Sequence, residues 1–495
     1  MKQPGRGAAA RRERRAPHPS RPAVLPPATR RPYNRALRAC AILGVGLRLM
    51  LFWINPPDNA FDNHFEPILW IMNTGTIAPK DALWQSYQPP VFYVISAAVG
   101  SLERNAGVPP PAIFKTLQFV SALYGILTLG VILLILKRVP LSDFSRLVAF
   151  ATVCFLPQHI YQTALHSNDT ISYLGVALCA YLMLVAHQRG FTAGFSVLLC
   201  VAATLTLFTK YTAFVVLPMM VALLLPELWR PASPPQPRRT ATRLLLIAVP
   251  LLVLGAYGLA NLHRYGHALP WNTAMLDPSK TQPRAAGGLS FFNFKPWTCI
   301  ATPLLAPSNL DSFWTLIHAR MWFDMEPKFL FFLDQNRAWW EHYYAWLRGE
   351  QAFPEGFAWS PLTRFMGSAL ITLGLVPLAL LWIGLARSAR AGFYVTPQAG
   401  GRRWTGMQIF AALLVSNAAG VLYLTMRSPV YSSVKAIYFL VSLPAFAVFI
   451  GLGMAAIERH RRARALIVAS LVGLFALVTF HIIQIGLARS FRIGV

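Results

Sequence analysis

The sequence predicts an all-α, polytopic membrane fold. Three observations predict it: 55% of the 495 residues are apolar, the mean hydropathy is +0.46, and charge is nearly absent from a series of apolar runs of bilayer-crossing length. A formal charge of +27 would point to nucleic acid in a soluble chain. Here the basic residues flank apolar runs, so the expected partner is membrane lipid and no nucleic acid is expected.

Residues 1–36 come first as a basic tail. Eleven Lys and Arg and a single acid fall in the first 38 residues, among Pro17, Pro19, Pro22, Pro26 and Pro27. Such a segment has little apolar surface to bury and is expected to be disordered in the cytoplasm. The first apolar run carries Arg48 and leads into Asn55-Pro56-Pro57 rather than a small-residue cleavage site, so it reads as a retained span.

Eleven spans are expected, at 37–54, 112–136, 147–165, 170–186, 191–208, 211–228, 243–262, 364–386, 404–426, 436–457 and 465–488. The 15 residues from 88 to 102, QPPVFYVISAAVGSL, are short for a span and read as an interfacial helix. Charge supports that choice. With the N-terminus inside and 88–102 outside, the inward loops hold 16 Lys and Arg. The outward segments 55–111, 166–169, 209–210, 427–435 and the C-terminal tail hold 7. Counting 88–102 as a span would invert that bias. The chain then divides into an N-terminal catalytic module, 37–262, with an acidic loop at 55–111; an aromatic loop at 263–363; and C-terminal helices, 364–495, ending outside.

The aromatic loop holds eight of the fourteen tryptophans, as an interfacial belt or as a platform for sugar rings or lipid. The five cysteines, Cys40, Cys154, Cys179, Cys200 and Cys299, form no close CxxC pair, so no disulfide framework or zinc-thiolate site is indicated. The sequence has no GxxxxGK[ST], no GxGxxG after a strand and no HExxH, which leaves a nucleotide-driven pump or a zinc protease unsupported.

Two acidic corners could carry chemistry. In the first, Asp58, Asp62, His64 and Glu66 fall within nine residues just after the first span, a set suited to proton transfer, metal binding or both. Asp62 could equally cap a helix starting at Asn63, and Asp58 could shape the turn after Pro56-Pro57. The second corner is His166-Ser167-Asn168-Asp169-Thr170. There Asn168 or Asp169 could cap a helix starting at Thr170, or Asp169 could share a divalent cation with the first corner. Arg48, Lys115, Lys210, Arg427 and Lys435 sit within or at the ends of spans, where a cation needs a partner. Snorkelling suits Lys210 and Lys435, and a lipid phosphate suits Arg427 and Arg48. His159, near Pro157, reads as a satisfied core histidine.

The order of these blocks resembles the polytopic glycosyltransferases of the C-type fold. DNAFDNHFEPI, TGTIAP, YQPPVFYVISAA, LPQHIYQTALHSNDTISYLGVAL and LFTKYTAFVVLP carry the resemblance over residues 37–262, with a weaker echo at MRSPVYSSVKAIYFLVSLPAFA. The family 39 type is nearest, the protein O-mannosyltransferases and the aminoarabinose transferases of lipid A. The resemblance implies two juxtamembrane helices in the first outer loop, an aspartate there as base and a second acidic position in the next outer loop, places that Asp62 and Asp169 match. It implies a polyprenyl-phosphate sugar as donor and an acceptor lipid, glycan or protein on the periplasmic side of a bacterial inner membrane. It offers Asp58 as the alternative base; His64, Glu66, Lys210, Tyr211, Arg427, Lys435 and Arg48 as donor contacts; and Asp62, His64 and Asp169 as ligands of a divalent metal ion. Many relatives carry a basic residue or histidine before the Pro-Pro pair, where this chain has Gln88. The rival reading is a lipid or solute transporter, which would call for inverted repeats and buried charge at mid-membrane.

Overall fold

A computed structural model describes residues 27–57, 63–190, 192–228, 237–270, 288–325, 337–354, 356, 360–392, 394–395, 403–404, 406–428, 430 and 433–493. The chain is all-α, apart from a two-residue antiparallel pairing of Tyr394–Val395 with Arg403–Trp404. In chain order the helices are α1 Pro27–Ile54, α2 Phe65–Thr74, α3 Val91–Asn105, α4 Pro110–Arg138, α5 Asp143–Cys154, α6 Pro157–Thr163, α7 Asn168–Arg189, α8 Ala193–Leu207, α9 Val216–Leu228 and α10 Pro237–Tyr265. The aromatic loop contributes α11 Pro296–Ala301, α12 Phe313–Trp322 and α13 Arg337–Leu347. Then follow α14 Pro361–Leu373, α15 Leu375–Arg390, α16 Met407–Arg427, α17 Leu443–Ile457 and α18 Arg461–Ile493.

Among the described residues, eight helical segments are long and apolar enough to cross a membrane, and Ala193–Leu207 and Tyr211–Leu224 are apolar but shorter. The expected count of eleven is therefore not met by continuous helices. The expected span 147–165 is broken into α5 and α6 because Pro157 lacks an N–H and its ring disfavours helical backbone at Leu156, which adopts an extended conformation. That break positions the site, since it turns α6 into a short separate element beside α7.

Most of the segment 88–102 belongs to α3, which starts after Pro89-Pro90 at Val91, runs 15 residues to Asn105 and packs on α2. Phe65, Ile68, Met72, Phe92, Tyr93, Ala97, Ile113 and Leu117 form a small core of their own beneath these two helices and the start of α4. Gly75, at φ 69°, ends α2 in the left-handed conformation a side chain would resist. The main core is elsewhere. Its closest crossing is α15 on α17, where a Cβ on Gly384 would strike the Phe449 carbonyl and one on Gly453 the Leu380 carbonyl, the close backbone approach that small residues permit.

In the aromatic loop, Trp322, Trp339, Trp340 and Trp346 are buried. Trp339 stacks on Tyr343 at 5.2 Å, and Trp346 meets Phe353 edge-on at 4.9 Å. Neither a belt nor an open platform describes these rings; they are the inside of a folded cap. Trp297 remains exposed, and Trp271 and Trp359 lie outside the described residues. All five cysteines are free.

Candidate functional site

The hinge between α6 and α7 holds the second acidic corner. Ser167, not Asn168 or Asp169, caps α7: its backbone is extended and its Oγ accepts from the Asp169 N–H at 3.2 Å. With the cap supplied by Ser167, the Asp169 carboxylate is left for other partners. The Lys210 ammonium lies 2.7 Å from Oδ1, while Gln162 Nε2 donates to Oδ2 at 3.1 Å and Ser167 Oγ donates to the same oxygen at 2.9 Å. All four residues are buried. Lys210 therefore does not snorkel; it neutralises a carboxylate and lies 5.9 Å from the centre of the Tyr438 ring. Tyr211, next in sequence, ties two loops together, its hydroxyl lying 3.0 Å from the Tyr87 carbonyl and 3.1 Å from that of Pro270.

The first corner leans on this hinge from both sides. Before it, Asn55 Nδ2 donates to the Ala164 carbonyl at 3.0 Å, and Gln118 Nε2 reaches Ala164 O at 2.7 Å and Pro56 O at 3.3 Å. Lys115, a cation expected to need a partner, is tied to the carbonyls of Phe52 at 2.6 Å and Asn55 at 2.8 Å. After it, the Phe65 ring stacks on His166 at 4.5 Å. Asp58 and Asp62 lie outside the described residues, next in sequence to Pro57 and Asn63. The helix expected to start at Asn63 with an Asp62 cap starts instead at Phe65, with His64 at the cap position and Asn63 Oδ1 accepting from Phe65 N at 3.1 Å. Glu66 is exposed in its first turn, where its charge suits the helix dipole.

His64 is buried, with Nδ1 3.0 Å from the Tyr93 hydroxyl, which donates to the Gln85 carbonyl at 3.2 Å. His166 Nδ1 faces the Leu117 carbonyl at 3.1 Å, and a carbonyl only accepts, so the ring proton sits on Nδ1 and the lone pair on Nε2. Burial, reinforced by the charge of His64, pushes His166 down to about 3, so it stays neutral at ordinary pH. Neither His166 Nε2 nor either side-chain atom of Asn168 has a hydrogen-bond partner among the described residues.

A second polar pocket opens one turn earlier on α6. Gln158, four residues before Gln162 and so on the same helix face, lines it together with Arg320 and Asp324 of the aromatic loop and Lys435. Arg320 Nη1 donates to the Val434 carbonyl, and Tyr173 of α7 donates to Ile437 at 3.0 Å, which fastens the segment after Lys435 to the hinge helix. Residues close in the chain to the lining of this pocket, Leu156, Met321 and Phe439, line a different cavity. It is open, almost wholly apolar and about 720 Å³ in volume, with Ile317, Leu378 and Phe446 among its other lining residues.

Two expected donor contacts fall elsewhere. Arg48 is fully buried, donating to Gly44 O at 2.6 Å and Cys154 O at 2.8 Å and lying 2.8 Å from His159 Nδ1. It fastens α1 to the α5–α6 break and has no free fork for a phosphate, and His159 is its acceptor. Arg427 is exposed at the C-terminal end of α16.

The chain is similar to the oligosaccharyltransferase of Archaeoglobus fulgidus in its apo form, at 12% identity over 92% of this chain and 56% of that one, with a TM-score of 0.49. It is also similar to ArnT of Cupriavidus metallidurans bound to undecaprenyl phosphate, at 15% identity over 84% of this chain and 77% of that one, with a TM-score of 0.35. It spans 53% to 56% of the archaeal oligosaccharyltransferase's length. No family model and no curated protein sequence matches it.

A divalent ion does not fit the two described members of the expected ligand set, His64 and Asp169; Asp62, the third, lies outside the described residues. Both oxygens of Asp169 are engaged, and one of them faces an ammonium. His64 has its Nδ1 on Tyr93, and among the described residues no three His, Cys, Asp or Glu converge. Sequence reasoning missed Gln158, Gln162, Arg320 and Asp324. The glutamines carried a legible signal, two amides four apart in LPQHIYQTAL after a proline; Arg320 and Asp324, 162 residues after Gln158 and Gln162 respectively, sit among aromatics, and only the fold brings them to α6.

Proposed function

We propose that this chain is a membrane glycosyltransferase of the C-type fold, taking a sugar from a polyprenyl-phosphate carrier and passing it to an acceptor lipid, glycan or protein on the periplasmic side of a bacterial inner membrane. One observation carries the reading: Arg320 and Lys435 line a small polar pocket of about 30 Å³ with Asp324, and residues close to that lining in the chain, Leu156, Met321 and Phe439, line an apolar cavity of about 720 Å³. That is the shape of a site for an amphiphile with an anionic head and an isoprenoid tail, and its volume is within the range that binds small ligands, about 300–1,000 Å³. The anchoring of both ends of the acidic segment on the Asp169 hinge supports a shared site for the two corners.

In this reaction Asp62 removes the proton of the acceptor hydroxyl or amine as that atom bonds to the anomeric carbon. The bond from that carbon to the phosphate oxygen breaks, and the pair of electrons leaves with the lipid phosphate. Arg320 and Lys435 steady the departing charge. Asp58 is the alternative base. Asp169, held by Lys210, fixes the floor against which the acceptor lies, and Glu66 sits on an exposed helix turn, close to His64 in sequence. No step passes through a metal ion.

The test is transfer of labelled sugar from a polyprenyl-phosphate donor by the purified chain. Asp62→Asn should lower the rate by about 10²- to 10⁴-fold, the usual scale of general-base loss, with donor binding kept, while Asp58→Asn loses much less. An active Asp62→Asn beside an inactive Asp58→Asn moves the base to Asp58. Movement of intact donor across vesicles without any transfer would return the reading to a transporter.

A further inference from the structure

We infer that Lys210 is a built-in cation of the second acidic corner, and that the chain works with no divalent ion at Asp169. The inference rests on the site proposed above but goes beyond it, since it names what balances the buried carboxylate. A divalent ion requires several oxygen ligands at about 2.0–2.6 Å with free lone pairs. Here Oδ1 faces the ammonium at 2.7 Å. Oδ2 receives the amide of Gln162 at 3.1 Å and the hydroxyl of Ser167 at 2.9 Å. The Ser167 proton can go nowhere better, because its oxygen already accepts from the Asp169 N–H.

The ammonium is held in place by the backbone around it. Lys210 is extended between α8 and the 3-10 turn Tyr211–Val215, its carbonyl accepting from Ala213 N at 3.0 Å. Thr209 on one side donates to Thr206 O at 2.6 Å, and Tyr211 on the other ties to Tyr87 and Pro270. With both flanks fixed and the side chain buried beside Tyr438, the ammonium is held against the carboxylate. An incoming metal would either sit against a fixed positive charge in a medium of low dielectric or have to expel it, and both oppose binding.

The full chain, purified in detergent and passed through a chelating buffer, decides the matter by elemental mass spectrometry, Mn²⁺ titration followed by electron paramagnetic resonance, and the labelled-sugar assay with and without EDTA. The expected result is substoichiometric metal, no tight Mn²⁺ site and transfer insensitive to EDTA. Lys210→Ala should create a Mn²⁺ site that the Lys210→Ala/Asp169→Asn double variant loses again. Stoichiometric metal in the wild type that disappears in Asp169→Asn overturns the inference, and so does transfer that EDTA abolishes and Mg²⁺ or Mn²⁺ restores. If Lys210→Ala does not fold, metal content and Mn²⁺ binding of the wild type and Asp169→Asn still separate the two outcomes. Should the wild type transfer no sugar under any condition, the glycosyltransferase reading fails, and the metal-content and Mn²⁺ arms still judge Lys210 on their own.

Discussion

The hinge at Asp169 and the pocket at Arg320 meet along the seven residues of α6, yet they are built on opposite rules. In the hinge one carboxylate oxygen takes two donors, the other faces the Lys210 ammonium, and the balancing cation comes from the chain. In the pocket two cations and Asp324 line a small polar space, and residues close to them in the chain line an apolar void of about 720 Å³. A buried ion pair contributes rigidity and punishes the loss of either partner, whereas an open cavity leaves stability nearly untouched when altered and changes what binds. The contrast can be broken or sharpened by mutation.

The largest effect on stability is expected in the hinge. Lys210→Met leaves Asp169 buried without its counter-charge, a loss of about 3–5 kcal/mol for one partner of a buried pair, read as a clear fall in the melting temperature of the purified chain. Lys210→Met/Asp169→Leu, which removes both charges, should regain much of that stability and none of the transfer. Equal stability in the single and double variants would show that the pair is not coupled.

In the pocket the balance should reverse. Arg320→Ala removes one charged donor, and such hydrogen bonds are worth about 1.5–3 kcal/mol, so the KM for a polyprenyl-phosphate sugar should rise about 10- to 100-fold, with Arg320→Lys between. The lost contact to the Val434 carbonyl costs about 1 kcal/mol of stability. A large drop in melting temperature with an unchanged KM would make Arg320 a structural clamp and place the phosphate elsewhere.

A smaller effect is expected in the cavity itself. Ala418 lines it, and Ala418→Trp should exclude part of a long tail while leaving a short-tailed donor analogue unaffected. Two excluded methylenes at about 0.8 kcal/mol each predict a KM change on the order of tenfold for the long donor alone. Equal effects on both donors would argue that the tail lies outside this cavity.

These regions also differ in how far the sequence discloses them. The apolar runs, the short α3 and the polar hinge were legible because each is a local pattern of hydropathy or charge. The α5–α6 break was not, although Pro157 marks it, because a continuous apolar run overrode the proline. Lys210 and Asp169 could be flagged separately, but their pairing depends on the approach of α7 to the turn after α8. Arg48 was misread for the same reason: a cation near a span end looks like a phosphate site until the Cys154 carbonyl and His159 are found around it. The cavity was invisible, since eighteen apolar residues with Thr152 and His318, drawn from six segments, look like core in any one of them.

The last effect is the smallest and tests the acidic loop. Lys80 is buried beside the hinge-facing helices, its ammonium donating to the Gln88 carbonyl at 2.6 Å and lying 5.5 Å from the centre of the Tyr257 ring. Burial pushes its pKa down to about 8 from 10.5. The folded value lies below the unfolded one, so between pH 8 and 10.5 the unfolded chain binds more protons and stability rises with pH. Below that window the buried charge lowers stability by its full amount; as pH rises through 8 the amine sheds its proton when folded and the penalty shrinks. From roughly pH 7 to 9 the gain should be about 1 kcal/mol. Other groups titrate in the same range, so the quantity to measure is the difference in melting temperature between wild type and Lys80→Met across that interval. The wild type should climb relative to the variant as pH rises, because methionine keeps the packing and has no proton to lose. A constant difference would mean that the Lys80 ammonium is solvated through the acidic loop, and residues 80–88 would then have to pack loosely against α10.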